Sequence, residues 1–332
     1  MRLLSIFAAL AAVLWSGYWF GGSSVLQQQL EQQLAARFGA DDAVQISHQG
    51  LSVTGFPGRF DLSLRDFTLT DPGNRLRWYA PDLQIQAASY HPHKVTVAPG
   101  GRQVLQINGQ QLRIESQALT ATVALSTQAL LRGAQILEMA QIKAKALELS
   151  ARQWGALQLD AAQMDATPAT DLYDLYQLDL TATTLRLPDA LRQQLDPATR
   201  LPEQIEQMHL RGLVRLKSPL DLTKRVRLSG IKIRDYRLNW GEVQLSGHGD
   251  LQLDRKGYPT GELQLVVHGW QSVYQMAKDA ALFDPSYERA IYSALESAAK
   301  LSEAADGITL PVRFAERQIF VLGLPIAPAP RL

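Results

Sequence analysis

From Ala43 onward, apolar and polar residues take turns along the chain. Phe60, Leu62 and Leu64 alternate with polar neighbours, then the phase slips at Arg65-Asp66, and Phe67 and Leu69 carry the apolar side. Such a slip predicts a β-bulge, one extra residue that re-aims the side chains. Further alternating runs are Leu83, Ile85 and Ala87; Leu119, Ala121, Val123 and Leu125; Leu147, Leu149 and Ala151; and Leu157, Leu159 and Ala161. Later ones are Tyr236, Leu238 and Trp240; Val243, Leu245, Leu251 and Leu253; and Leu263, Leu265 and Val267. A period of two predicts antiparallel strands with one buried and one wet face, whereas parallel α/β sheets show continuous apolar runs. A faint repeat, "QWGALQLDAAQMD" at Gln153 and "NWGEVQLSGHGDLQLD" at Asn239, places Trp-Gly before alternating Leu in both copies. Two related sheet halves would produce it.

Helical spacing is confined to a few stretches. The opening run "MRLLSIFAALAAVLWSGYWF" is apolar or small from Leu3 to Phe20. About 18 such residues cross a ~30 Å hydrocarbon layer as a helix. The run exceeds a signal-peptide core and ends in Tyr18, Trp19 and Phe20, which suit a membrane interface. The reading is a signal anchor over residues 1–22, with residues 3–20 in the inner membrane and a cleaved signal peptide as the alternative. Arg2 precedes the run and no further Lys or Arg follows until Arg37, so the positive-inside rule exports the body to the periplasm. Residues 23–39 read as an amphipathic linker helix, with Val25, Leu26, Leu30, Leu34 and Phe38 on one face. "PDALRQQLDP" reads as a short helix. A helical hairpin is expected at about residues 271–305. Its second arm is capped by Asp284, opened by Pro285 and marked by Tyr287, Ile291, Leu295 and Ala298, with Gly307 as its stop. The Pro-rich tail, with Pro325, Pro328 and Pro330, is expected to stay out of a sheet interior.

The stretch "GFPGRF" reads as a structural corner made by Gly55, Phe56, Pro57 and Gly58. Gly55 permits a positive φ, Pro57 fixes φ near −65°, and Phe56 plugs the bend. The alternative is that Arg59 and Asp61 present a charged pair to a partner.

The 332 residues carry a formal net charge of +1, with 46% hydrophobic and 20% charged residues. That balance gives no basic surface for a nucleic acid. The absence of cysteine removes disulfides, thiolate metal sites and thiol nucleophiles, and fits an oxidising compartment. The His residues are scattered. His91 and His93 are the one close pair, with Pro92 between them and no third ligand evident, so no metal site is expected. No nucleophile elbow, phosphate loop or dinucleotide glycine pattern occurs, and no catalytic residue or cofactor is nominated. Arg211, Arg215, Lys217, Lys224, Arg225 and Arg227 form the most basic region, read either as a lipid-headgroup surface or as solvated strand faces.

Three segments, "GFPGRFDLSLRDFTLTDP", "WYAPDLQIQAASYHPHKV" and "LPVRFAERQIFVLGLPIAPAPRL", resemble the domain of unknown function family 2125. The similarity runs from about Leu51 to the C-terminus. It implies a bacterial envelope protein, mainly alphaproteobacterial, and brings no established activity and no catalytic residues. The exported strand pattern is also similar in style to AsmA-like envelope proteins, whose long curved sheets hold lipid.

The fold class expected is mostly β with a few helices: long curved antiparallel sheet or sheets over residues 43–332, with the C-terminal helical hairpin, behind the transmembrane helix. An incompletely covered apolar face marks a binding site. The expected function is non-catalytic binding of a lipid or acyl chain in envelope maintenance, with Phe60, Phe67 and Trp240 as groove candidates. The alternatives are a scaffold for an envelope protein partner and, third, a periplasmic hydrolase.

Overall fold

A computed structural model describes residues 45–332, apart from residues 56–57, 74, 222–225, 284 and 303–306. The anchor at 1–22, the linker helix at 23–39, Phe56, Pro57 and the cap Asp284 therefore lie outside the described residues. No helix among the described residues is long and apolar enough to cross a membrane. The chain divides into two compact units, the first ending at Ala124 and the second spanning Leu125–Leu332. Strand dominates both.

In the first unit the strands are β1 (Gln45–Ser47), β2 (Gly50–Thr54), β3 (Arg59–Asp71), β4 (Leu76–Ala88), β5 (His91–Gly100), β6 (Gln103–Ile107), β7 (Gln110–Glu115) and β8 (Ala118–Leu125). β3 pairs with β1, β2 and β4, and β4 divides its other edge between β5 and β6, all antiparallel. Leu64, Phe67 and Leu83 are buried together, with Leu62, Leu69, Trp78 and Ile85 packed around them.

The phase slip falls at Arg65-Asp66, but its form differs from an inserted residue. Arg65 pairs with Asp82 and Phe67 with Ala80, so each strand loses one pairing residue, Asp66 on β3 and Pro81 on β4. Asp66 takes φ 50°. Pro81 has no N–H to donate, so an unpaired position opposite it leaves no buried donor on β4. Both strands therefore switch faces together, and Leu62 and Leu64 hand the core to Phe67 and Leu69.

The second unit is an antiparallel meander. Its strands are β9 (Leu137–Ala151), β10 (Gly155–Pro168), β11 (Leu175–Arg186), β12 (Gln204–Leu216), β13 (Leu228–Trp240), β14 (Val243–Leu253), β15 (Pro259–His268), β16 (Gly307–Ala315), β17 (Gln318–Val321) and β18 (Leu324–Pro328). Each pairs with the next. The repeated Trp-Gly pairs sit at two of the tight turns: Gly155 closes the β9–β10 turn with φ 91°, and Gly241 closes the β13–β14 turn with φ 56°.

The same paired face switch recurs here as a row across four strands. The ladders skip Ala146 and Asp160 between β9 and β10, and Thr184 and Glu206 between β11 and β12. Ala146 and Thr184 adopt φ 48° and 53°. The switch has a consequence for Ala161: it lies beyond the crease from Leu157 and Leu159 and is exposed rather than continuing their apolar run.

Four helices are described: α1 (Thr127–Leu131), α2 (Asp189–Leu195), α3 (Trp270–Asp279) and α4 (Glu288–Leu301). α3 and α4 lie between β15 and β16. α4 ends at Leu301, whereas Gly307 opens β16 instead of stopping the helix, and Pro285–Tyr287 is a 3-10 turn ahead of it. Tyr287 is exposed, so the buried stripe of α4 is Ile291, Leu295 and Ala299. The tail forms β18, whose only described partner is β17 and whose five residues are all exposed. Its two prolines suit an edge, where a missing N–H breaks no ladder.

Candidate functional site

Strand alternation and the printed registers assemble one apolar row across eight strands of the second unit. Ile142 faces Met164, Met164 faces Leu180, Leu180 faces Leu210, and Leu210 faces Tyr236. The row continues through Gly247 to Leu265 and Leu310. A parallel row runs through Ala144, Ala162, Ala182, Met208, Leu238, Leu245, Val267 and Ile308. Gly247 and Gly249 keep the strands close: a Cβ at Gly249 would lie 2.3 Å from the Glu262 carbonyl oxygen, and the Leu263 side chain takes the space beside it.

The two ends of this face differ. At the β14–β16 end, α3 and α4 close it: Val267 and Ile308 are buried with Trp270, Tyr274 and Leu295, and Leu245, Leu265 and Leu310 pack against them. Tyr292 meets both Trp270 and Tyr274, and Tyr274 donates to the Glu288 carbonyl, which ties α3 to α4. At the β9–β12 end, Met164, Leu180, Met208 and Leu210 are half-buried and belong to no buried cluster among the described residues, and Ile142 is 39% exposed. Burial pushes the Tyr176 hydroxyl up to about 12 and raises Tyr236 as well. The Tyr176 hydroxyl donates to the Leu137 carbonyl at 2.7 Å.

The opposite face is polar. His209 lies between two carboxylates, Nε2 at 3.2 Å from Asp179 and Nδ1 at 3.6 Å from Asp235. Arg211 binds Asp179 at 2.8 Å and Arg237 binds Asp235 at 3.1 Å. Partial burial pushes the Asp179 carboxyl up, but the hydrogen bonds and charges of Arg211 and His209 outweigh it and hold it below its ordinary range. A depressed folded-state value contributes stability that is present above the ordinary carboxylate range and is lost as pH falls through the lower folded value. Arg211→Met is therefore expected to raise the Asp179 titration midpoint in an NMR pH series and to reduce the stability that is lost as pH falls through the carboxylate range. An unchanged midpoint would mean that Arg211 does not set it. Arg211 is thus a paired strand-face residue; Lys224 and Arg225 of the same basic region lie outside the described residues.

A second concavity belongs wholly to the first unit. A cleft of about 640 Å³ sits beside the Gly55 corner and is lined by Gly55, Gly58, Arg59, Gln86, Ala87, Ala88, Tyr90, His91, Lys94 and Thr96. The corner is a tight loop: Gly55 has φ 103°, and the Arg59 N–H donates to its carbonyl at 3.1 Å. A Cβ on Gly55 would fall 2.8 Å from the Arg59 carbonyl oxygen, so only glycine fits. The cleft opens because β5 leaves the β4 ladder. Ala87 pairs with Val95 but Ala88 pairs with His91, so Pro92, His93 and Lys94 bulge away from β4.

The three groove candidates fall into different surroundings. Phe67 is 4% exposed and packs edge-on against Trp78 at 5.5 Å. Trp240 is 7% exposed, buried with Leu201, Ile205 and Val243, and its Nε1 donates to the Pro202 carbonyl at 2.7 Å. Both are core residues. Phe60 is half-buried opposite Ala87. Sequence reasoning did not single out Met164 or Leu180, because each gains meaning only through its neighbours on adjacent strands. Among the described residues no three His, Asp or Glu side chains are placed to hold a metal ion.

An all-antiparallel, mostly β chain with a few helices is thus the class that the fold defines. Residues 19–330 match the bacterial family described as "Uncharacterized protein conserved in bacteria (DUF2125)". The chain belongs to that family. No curated protein matches it, and no solved structure does.

Proposed function

We propose that this chain is a non-catalytic, single-pass inner-membrane protein whose periplasmic body holds a lipid or acyl chain. The observation that carries the reading is the apolar row of the second unit, helix-covered at β14–β16 and lacking such cover over Ile142, Met164, Leu180 and Leu210 among the described residues. Contiguous apolar surface left facing water costs about 25 cal/mol per Å², which an acyl chain laid along it recovers. In this reading α3 and α4 act as a hairpin that closes one end of the face. The apolar run over residues 3–20 supports the anchor, and the single Arg2 ahead of it supports export.

A ligand reading fits this face better than a protein scaffold. Its side chains from Ile142 to Leu210 are all apolar, which suits an acyl chain lying across the strands. Mass spectrometry of lipid extracted from gently purified full-length protein tests the proposal. The expected result is bound acyl lipid; protein free of lipid would sink the reading.

A further inference from the structure

We propose that the cleft beside the Gly55 corner is a second site, and that it binds a phosphate group. The proposal is independent of the acyl-chain reading, because the cleft lies wholly in the first unit and the apolar row wholly in the second.

Three basic side chains from two strands line this one cleft: Arg59 at the start of β3, and His91 and Lys94 on β5. No carboxylate is among its described lining residues. Asp61 is the nearby counter-charge, and it takes only the Arg59 Nε, at 2.8 Å. The Arg59 side chain stays 65% exposed, so the rest of its planar donor fork faces outward. Lys94 is exposed and makes no ion pair among the described residues.

The surroundings give the cations a shaped setting. Tyr90, His91 and His93 contact edge to face in series, at 5.0 and 5.6 Å between ring centres. A Cβ at Gly58 would meet open space. A guanidinium fork from β3 and an ammonium point charge and an imidazole from β5 need several acceptor oxygens on one centre. A phosphate supplies them tetrahedrally, and a planar carboxylate has only two. The volume exceeds that of a phosphate ion and leaves room for the group that bears it, with Ala87, Ala88 and the Tyr90 ring as apolar walls. The phosphate belongs either to a lipid headgroup or to a soluble ester.

Titration of the detergent-solubilised full chain with glycerol 3-phosphate, and native mass spectrometry with phosphatidylglycerol, separate those sources. Lys94→Ala is expected to weaken binding of whichever probe binds by about tenfold, the loss of one charge-assisted hydrogen bond. Lys94→Arg is expected to retain it. Glycerol 3-phosphate binding that K94A weakens identifies a soluble ester. Retention of phosphatidylglycerol alone, lost in K94A, identifies a headgroup. If neither probe binds, or if K94A leaves both unchanged, the site is wrong. A charge placed in the apolar row, as in Leu180→Asp, is expected to leave glycerol 3-phosphate binding intact, so failure of one proposal does not mimic failure of the other.

Discussion

Phe67→Ala is expected to cost about 3–5 kcal/mol of stability, the range for removing a buried aromatic ring and leaving its cavity. Phe67 is the hinge of the first unit's core. It is the first apolar residue after the face switch at Asp66, and it packs with Leu64 and Leu83 and edge-on to Trp78. Both strands change faces at this point, so the hole would open where the two halves of the core meet. Denaturant unfolding of the variant measures the cost. A loss below about 1 kcal/mol would show that the ring is not part of a closed core.

Asp196→Ala is expected to cost about 2–4 kcal/mol, from two hydrogen bonds to one charged group. Asp196 is fully buried, and its two carboxylate oxygens each accept a backbone N–H, from Arg200 and Leu201, at 2.9 Å. That loop is the lid of the Trp240 cluster: Leu201 packs on the indole, and the Pro202 carbonyl accepts its N–H. Removing the carboxylate leaves two buried donors without partners and loosens the lid. Thermal unfolding reads the loss directly, and Asp196→Asn is expected to lie between the alanine variant and the wild type. Equal stability of all three would mean that the loop is held by other contacts.

Much of the fold was legible because Leu, Ile and Val recur at a period of two with polar residues between them. The switch at Arg65-Asp66 was visible for the same reason, since large residues flank it on both sides. The matching crease in the second unit was not. There the apolar positions on the far side of the crease are mostly alanines, Ala140, Ala144, Ala162 and Ala166, with Ile142 and Met164 between them, so only the Leu-rich halves of β9 and β10 were recognised. Gly307 misled because glycine ends helices and also opens strands. Phe67 and Trp240, read as groove candidates, lie in the core, and their burial depends on Trp78 and on the Leu201–Pro202 loop, which no local pattern reveals. The positive φ of Gly55 was readable from glycine chemistry alone. The cleft beside it was not, because it arises from a three-residue bulge of β5 against β4.

The apolar row across β9–β12 is the center of this account, and one measurement addresses it most directly. Full-length wild type, Leu180→Asp and Ile142→Asp are purified in the same mild detergent, and their bound lipid is quantified by mass spectrometry, with circular dichroism as the check on folding. Ile142 is already partly exposed, so its variant keeps the test valid even if Leu180→Asp unfolds. The expected result is acyl lipid on the wild type and its loss from the folded variants. Lipid-free wild type, or folded variants that carry as much lipid as the wild type, would contradict the account.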